Sequence, residues 1–373
     1  MIDFLYGPLI TAGLAAGLAL VIVVLDAIVN NYGDVKIDIN EGQRSYTVRG
    51  GANLLGTMAA EGVFVPSACG GRGSCGACKV RVLSDVGPHL PTELPYLSAE
   101  EVTQNVRLAC QIKLKKDIAI ELAEELFSVK KFQSTVSSIK TITHDIKEAV
   151  FRLDNPGEIE FMAGQYVQLV VPPYGTFKES VQRAYSMSSK PGDRQAVELL
   201  IRLVPGGIAT TWVHQFLKEG DRVELVGPFG EFHVRDTTAA MVCVAGGSGM
   251  APFKSMFYDI LQNSSYPEKE IWYFFGARSG RDMFYLDELR QLETLLPRFH
   301  FVPALSEPSS DDKWTGETGL ITDVLERFLK ERIGTAKGLE GYLCGSPGMI
   351  NACTTVMTRN GINLEKIYYD KFA

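Results

Sequence analysis

Positive charge is missing where the chain begins, since the first basic residue is Lys36. A secretory signal would set Lys or Arg ahead of its apolar run and a small-residue cleavage site after it, so the opening segment does not read as one. Basic residues are not in surplus elsewhere either: 37 Lys and Arg stand against 44 Asp and Glu, a formal net charge of −7. That balance lacks the electrostatic footprint of a nucleic-acid binder, and nucleic acid is dropped as a partner. The seven cysteines are spaced too unevenly for a disulfide framework and lack the paired C-x2-C arrangement usual in structural zinc sites.

What the sequence does hold begins with one long apolar run. Between Pro8 and Asn30 lie 21 residues, of which only Thr11 and Asp26 are neither apolar nor Gly. As a helix rising about 1.5 Å per residue, this run would cross a bilayer core of roughly 30 Å. No basic residue precedes it, whereas Lys36, Arg44 and Arg49 follow, so the positive-inside rule leaves the rest of the chain in the cytoplasm and the N-terminus outside. Gly13-x-x-x-Gly17 would permit close approach of another transmembrane helix, and small residues are also common in such helices. Asp26 sits within a turn of the helix end and reads as an interfacial carboxylate before it reads as part of an ion path. The 373 residues exceed one typical domain.

Residues 34–128 read as a small α+β domain. Val35 to Ile39 alternates like a strand, Tyr46-Thr47-Val48 answers it, and Asn53 to Glu61 reads as a short helix. There follows Cys69-Gly-Gly-Arg-Gly-Ser-Cys75-Gly-Ala-Cys78, with Cys110 after 31 further residues. Three thiols in a glycine-rich loop plus a distant fourth suit a compact [2Fe–2S] cluster better than zinc, although the plant-type spacing has four residues in the first gap and this chain has five. Cys243 and Cys353 lie in apolar segments and read as core.

Residues 129–235 carry short β-rich runs punctuated by Gly and Pro, as in an antiparallel barrel. Within them, Arg183-Ala-Tyr185-Ser186 offers a cation for a pyrophosphate, a ring to stack and a hydroxyl for a ring nitrogen, the needs of a flavin. Gly206-Gly207-Ile-Ala-Thr210-Thr211 opens an apparent helix whose first amides suit the same pyrophosphate. Residues 236–373 alternate strands with helices, giving a parallel α/β sheet. Met241 to Ala245 is a buried strand running into Gly246-Gly247-Ser248-Gly249-Met-Ala-Pro252, a phosphate cradle of the form G-x-G-x-x-P. Strands are also read at Ile271 to Ala277, at Phe299 to Leu305 and through Gly341 to Cys344. An acidic residue about twenty positions past the cradle is not evident, and Arg278 and Arg281 can be read as ligands of a 2′-phosphate, which leaves NADH and NADPH undecided on these residues alone.

These motif sets, in this order, resemble the F subunit of the sodium-translocating NADH:quinone oxidoreductase. The resemblance rests on the x5 cysteine spacing, Leu90-Pro-Thr-Glu-Leu94, Arg107-Leu-Ala-Cys110-Gln and Arg183-Ala-Tyr-Ser-Met187. Gly227-Pro-Phe-Gly-Glu-Phe232, Gly276-Ala-Arg-Ser279 and Met283-Phe-Tyr285 add to it. The chain departs from the family in lacking an insertion before Arg183, in reading Ala245-Gly-Gly-Ser-Gly249, and in ending Phe372-Ala373.

The resemblance implies a transmembrane anchor (1–33), a β-grasp ferredoxin domain (34–128), a β-barrel FAD domain (129–235) and an α/β NADH domain (236–373). It implies that Cys69, Cys75, Cys78 and Cys110 hold the cluster, and that Arg183, Tyr185, Ser186, Gly207, Thr210 and Thr211 bind FAD. The dinucleotide falls to Gly246, Gly247, Gly249, Arg278, Ser279, Cys344, Gly345 and Met349, and the dinucleotide is NADH. Ser186 and Cys344 are then expected near the transferring hydride, with Phe372 covering the flavin ring. The implied setting is the cytoplasmic membrane of a prokaryote, with integral membrane subunits of a respiratory complex as partners and quinone reached indirectly. A rival expectation is an anchored reductase serving an oxygenase or another acceptor. A third is a non-catalytic carrier or redox sensor, which would be colourless or unable to oxidise NADH.

Overall fold

The computed structural model describes residues 11–23, 31–67, 69–263, 266, 268–334 and 338–371. The chain divides into two compact units, one running to Ser128 and the other from Val129 onward, except that residues 69–70 group with the second.

In the first unit residues 11–23 form a helix, α1, with every residue exposed. Among the described residues no helix is long and apolar enough to cross a membrane. Most of the expected span's flanks, including Asp26, lie outside the described residues. The body of the unit is a mixed five-stranded sheet in the order β2-β1-β5-β3-β4. Strands β1 (Asp34–Ile39) and β2 (Arg44–Arg49) form an antiparallel hairpin, and β5 (Ile118–Glu121) runs parallel to β1. Alternate residues of β1, namely Val35, Ile37 and Ile39, face inward and are almost wholly buried. The helix α2 (Leu54–Ala60) lays Leu54 and Met58 on that core, and the Asn53 side chain caps it by accepting the Gly56 N–H at 2.8 Å. Strands β3 (Lys79–Val82) and β4 (Val106–Leu108), joined through the short helix α3 (Ala99–Thr103), complete a β-grasp arrangement.

The second unit holds an antiparallel barrel and a parallel sheet. The barrel strands are β6 (Lys130–Thr141), β7 (Ile146–Asn155), β8 (Tyr166–Val171), β9 (Val181–Ser186), β10 (Ala196–Arg202) and β11 (Arg222–Phe229), in the order β10-β7-β6-β11-β8-β9. A bridge between Met187 and Leu199 joins the two edges and closes the barrel. Helix α4 (Ile208–Gln215) caps one end with Trp212 and Val213 buried.

The parallel sheet has the order β15-β14-β13-β12-β16-β17. Its strands are β12 (Ala240–Gly246), β13 (Ile271–Ala277), β14 (Phe299–Leu305), β15 (Glu317–Thr318), β16 (Leu339–Gly345) and β17 (Ile367–Lys371). Helices α5 (Met250–Asn263), α6 (Leu286–Leu295), α7 (Ile321–Phe328) and α8 (Pro347–Arg359) connect them. The near-continuous apolar runs of β12 and β13 reflect burial on both faces, and Cys243 and Cys353 lie wholly inside.

Two buried ionic networks fix this unit internally. Lys269 and Glu340 approach to 3.5 Å with both side chains almost free of solvent. Lys269 also donates to the carbonyls of Thr237 and Arg235, while Glu340 accepts from Thr237 and Tyr342, so the segment leaving the barrel is tied to the foot of the sheet. From α5, Lys254 donates to Glu198 of β10 at 2.8 Å and lies 3.6 Å from Glu148 of β7, which also accepts the Tyr285 hydroxyl. Helix α5 is thereby held against the barrel by charge as well as by packing.

Candidate redox site

Cys75, Cys78 and Cys110 belong to the first unit, and Cys78 and Cys110 are buried in its core. The Cys78 thiol donates to Cys110, which also receives the Gln111 amide at 3.6 Å and the Gly73 N–H; together these push Cys110 down to about 6 against the opposing effect of burial. Donating to Cys110, together with burial, pushes Cys78 upward. The Ala77 N–H points at the Cys75 sulfur at 3.5 Å. N–H donors at Cys75 and Cys110 favour their thiolate forms, which cluster ligation requires. Among the described residues no three His, Cys, Asp or Glu side chains surround a point that could hold a single metal ion. A two-iron cluster asks two thiolates of each iron, and the touching pair Cys78 and Cys110 fits that need.

The loop is tight at Gly73, whose left-handed backbone also disfavours a side chain. A Cβ on Gly73 would fall 2.5 Å from the Gln111 amide nitrogen. Gln111 is itself held by the Thr92 hydroxyl at 3.1 Å. Beside Thr92, the carboxylate of Glu93 is fully buried and takes Arg107 in a bidentate pair at 2.7 to 3.1 Å, together with the N–H groups of Leu90 and Leu108. The Leu90–Leu94 segment therefore clamps the strand that delivers Cys110. Sequence reasoning marked both segments but had no signal for their pairing.

Arg183, Tyr185 and Ser186 lie on β9. Gln182 to Tyr185 are all half-buried, so the middle of this strand is neither core nor open surface. Gly207 forms the N-cap of α4. The Thr210 hydroxyl is engaged locally, accepting the Val204 N–H at 3.1 Å and closing the turn into that helix, while Thr211 stays half-buried one residue on.

The chain steps from β12 outward through β13, β14 and β15, then crosses back to place β16 on the opposite side of β12. The carboxyl ends of β12 and β16 therefore bound the crevice where such sheets bind nucleotides. Gly246, Gly247 and Gly249 line one wall, and Cys344 and Gly345 the other. Gly249 approaches so closely that a Cβ there would lie 2.3 Å from the Cys344 carbonyl oxygen. Met349, in the first turn of α8, fills the space beside Gly246 and Gly345. The same turn of α8 is capped by Ser346, which accepts the Met349 N–H. Arg278 and Ser279 follow β13.

Two residues absent from the sequence reading complete the crevice. Arg202, at the end of β10, reaches over the glycine turn, its guanidinium 3.7 Å from where a Cβ on Gly247 would sit, while Asp145 orients it at 2.7 Å. Asp370 on β17 is paired in register with Cys344 and accepts the Ser186 hydroxyl at 2.6 Å. Burial pushes its carboxyl above the usual range, opposed by that hydrogen bond. Ser186 lies 184 residues upstream, so no local pattern could have shown the pairing. Phe372, expected over the flavin, lies outside the described residues.

The comparisons agree segment by segment. A 2Fe-2S iron-sulfur cluster binding domain matches residues 37–115, an oxidoreductase FAD-binding domain residues 133–234, and an oxidoreductase NAD-binding domain residues 243–355. The chain thus carries a [2Fe–2S] cluster and FAD and takes NADH as donor. Among solved structures, the cytochrome P450 reductase of Amycolatopsis matches with a TM-score of 0.72 and 30% identity, covering 91% of this chain and 98% of that one. The ferredoxin reductase of carbazole 1,9a-dioxygenase matches with a TM-score of 0.68 and 27% identity, over 91% and 99%. Among curated relatives, the F subunit of the Na(+)-translocating NADH-quinone reductase of Pseudomonas aeruginosa is 38% identical over 95% of both chains. Its counterpart in Neisseria gonorrhoeae is 35% identical over 99% of both. With ferredoxin, flavin and nucleotide segments all matched, and near-complete coverage in both directions, the chain belongs to the F-subunit family of the sodium-translocating NADH-quinone reductase.

Proposed function

We propose that this chain is the NADH-accepting subunit of a quinone-reducing, sodium-translocating complex of a prokaryotic cytoplasmic membrane. Electrons pass from NADH through FAD and the [2Fe–2S] cluster to integral membrane subunits. The N-terminal apolar run anchors it as a single pass with residues from Gly33 onward in the cytoplasm, a reading supported by the absence of basic residues before Lys36. The observation that carries the redox assignment is the hydrogen bond from Ser186 to Asp370, because it brings the Arg-x-Tyr-Ser strand of the barrel to the carboxyl edge of β16, where Cys344 ends the nucleotide crevice.

Bound FAD supplies the change from two-electron to one-electron transfer that joins NADH to an iron–sulfur cluster. The chain's own residues do the rest. Arg183 neutralises the FAD pyrophosphate and Tyr185 packs on the ring, with Gly207, Thr210 and Thr211 shaping the turn beneath the phosphates. Gly246, Gly247 and Gly249 admit the NADH pyrophosphate to the start of α5, with Arg202 above them as counter-ion. Ser186 and Asp370 orient the reacting edge, and buried Cys344 with Gly345 and Met349 closes the floor against water. Cys69 joins Cys75, Cys78 and Cys110 as the fourth cluster ligand. The reductases of similar structure serve a cytochrome P450 and a dioxygenase, but the apolar run and the full-length likeness to the quinone reductase's F subunit favour a membrane acceptor.

Cys78→Ala tests the series. Rapid mixing with NADH should still bleach the flavin at near the normal rate, since barrel and nucleotide sheet form a unit apart from the ferredoxin core. Quinone reduction in membranes should stop. Survival of quinone reduction in a variant shown to lack the cluster would mean that electrons leave the flavin directly.

A further inference from the structure

The crevice opens on the β13 side onto the loop of residues 278–282. In doubly wound sheets the residue after the second strand meets the adenosine ribose, where a carboxylate selects the 2′-hydroxyl and an arginine accepts a 2′-phosphate. This chain places both kinds of group together. Arg278 donates to Glu307 at 2.9 Å in a solvent-exposed pair, and the Glu307 N–H bonds the Arg278 carbonyl at 2.7 Å, so the loops following β13 and β14 are joined twice at one point. The loop is gripped by further carboxylates: Asp282 accepts the Ser279 N–H and hydroxyl at 3.0 and 2.8 Å and faces Arg281 of the same loop at 3.9 Å, and Asp312 accepts the Gly280 N–H.

We propose that Glu307 sets the choice of nucleotide: by holding Arg278 in an ion pair it withholds that cation from a 2′-phosphate, and with Asp282 and Asp312 it presents a negative rim that admits a 2′-hydroxyl. A 2′-phosphate carries nearly two negative charges at neutral pH and would have to displace Glu307 to reach Arg278, whereas an uncharged hydroxyl displaces nothing. The arginine that by its position signals NADPH is thereby turned to the service of NADH. This inference deepens the reading of the crevice as the NADH site and rests on it.

The test is steady-state kinetics of the full-length holoprotein with NADH and NADPH and an artificial acceptor. Glu307→Gln should raise kcat/KM for NADPH severalfold, about fivefold at most for freeing one exposed ion pair. The gain should shrink with added salt and vanish in the double variant Glu307→Gln, Arg278→Gln. A gain of function cannot come from misfolding. An unchanged NADPH value in Glu307→Gln overturns the proposal, as does a gain that persists without Arg278. If the wild type itself fails to oxidise NADH, the crevice assignment falls too; if it oxidises NADH and only the Glu307 variant is inert, the crevice stands and Glu307 alone is refuted.

Discussion

Glu93 and Arg107 are each almost wholly out of water, and their pairing consumes every hydrogen-bonding edge of the carboxylate. Removing one partner of such a pair strands the other, at about 3–5 kcal/mol. Arg107→Met should therefore destabilise the ferredoxin unit by that order and loosen Cys110, read as a lower unfolding temperature and early loss of cluster absorbance. The pH dependence follows from Glu93. Desolvation pushes its carboxyl up, but Arg107 and the Leu90 and Leu108 amides outweigh this and hold it below the usual carboxylate range. A depressed carboxylate contributes its full stabilisation above the unfolded value and loses it as pH falls through the folded one. The stability gap between the wild type and Arg107→Met should thus narrow as pH falls through the acid range, because only the wild type has this contribution to lose; denaturant unfolding followed by circular dichroism at a series of pH values reads it. A gap that stays constant with pH would mean that Glu93 is not held down by Arg107.

At the scale of elements, the glycine turn after β12 is the tightest joint of the crevice. Gly249→Ala drives a methyl group against the Cys344 carbonyl, so either α5 or the end of β16 must move. The KM for NADH should rise by roughly tenfold or more while FAD content stays normal, because a misplacement of about 1 Å is felt strongly in a positioned complex. Loss of FAD instead would place the turn in flavin binding. The elements themselves were legible: β12, β13 and β14 announce themselves as apolar runs, and α2 has its Asn53 cap. Hidden were the relations between elements. The order of strands, the Met187 to Leu199 closure and the meeting of Ser186 with Asp370 arise from contacts far apart in sequence, which periodicity does not encode. Arg278 shows the same limit in reverse. Read alone it points to a phosphate, and only the neighbouring loop reveals that Glu307 already holds it.

At the scale of the whole molecule, the apolar run and the catalytic body should be separable. A chain beginning at Asn31 keeps the Gly33 carbonyl that accepts the Gly50 N–H at 2.9 Å and the Tyr32 side chain against which Gly50 packs. It should be recovered in soluble form, retain FAD and oxidise NADH with artificial acceptors, yet fail to reduce quinone when added back to membranes. Loss of NADH oxidation in that chain would make the apolar run part of the catalytic fold. The network of Lys269, Glu340, Thr237 and Arg235 carries a different consequence, for protein engineering. A chimera spliced between relatives just beyond residue 237 would keep Lys269 and Glu340 together but take the Thr237 hydroxyl from the other parent. Where that parent has no hydroxyl at 237, the buried pair loses a hydrogen-bond partner on each side. A sound breakpoint therefore lies before Arg235, so that this segment travels with the sheet it ties.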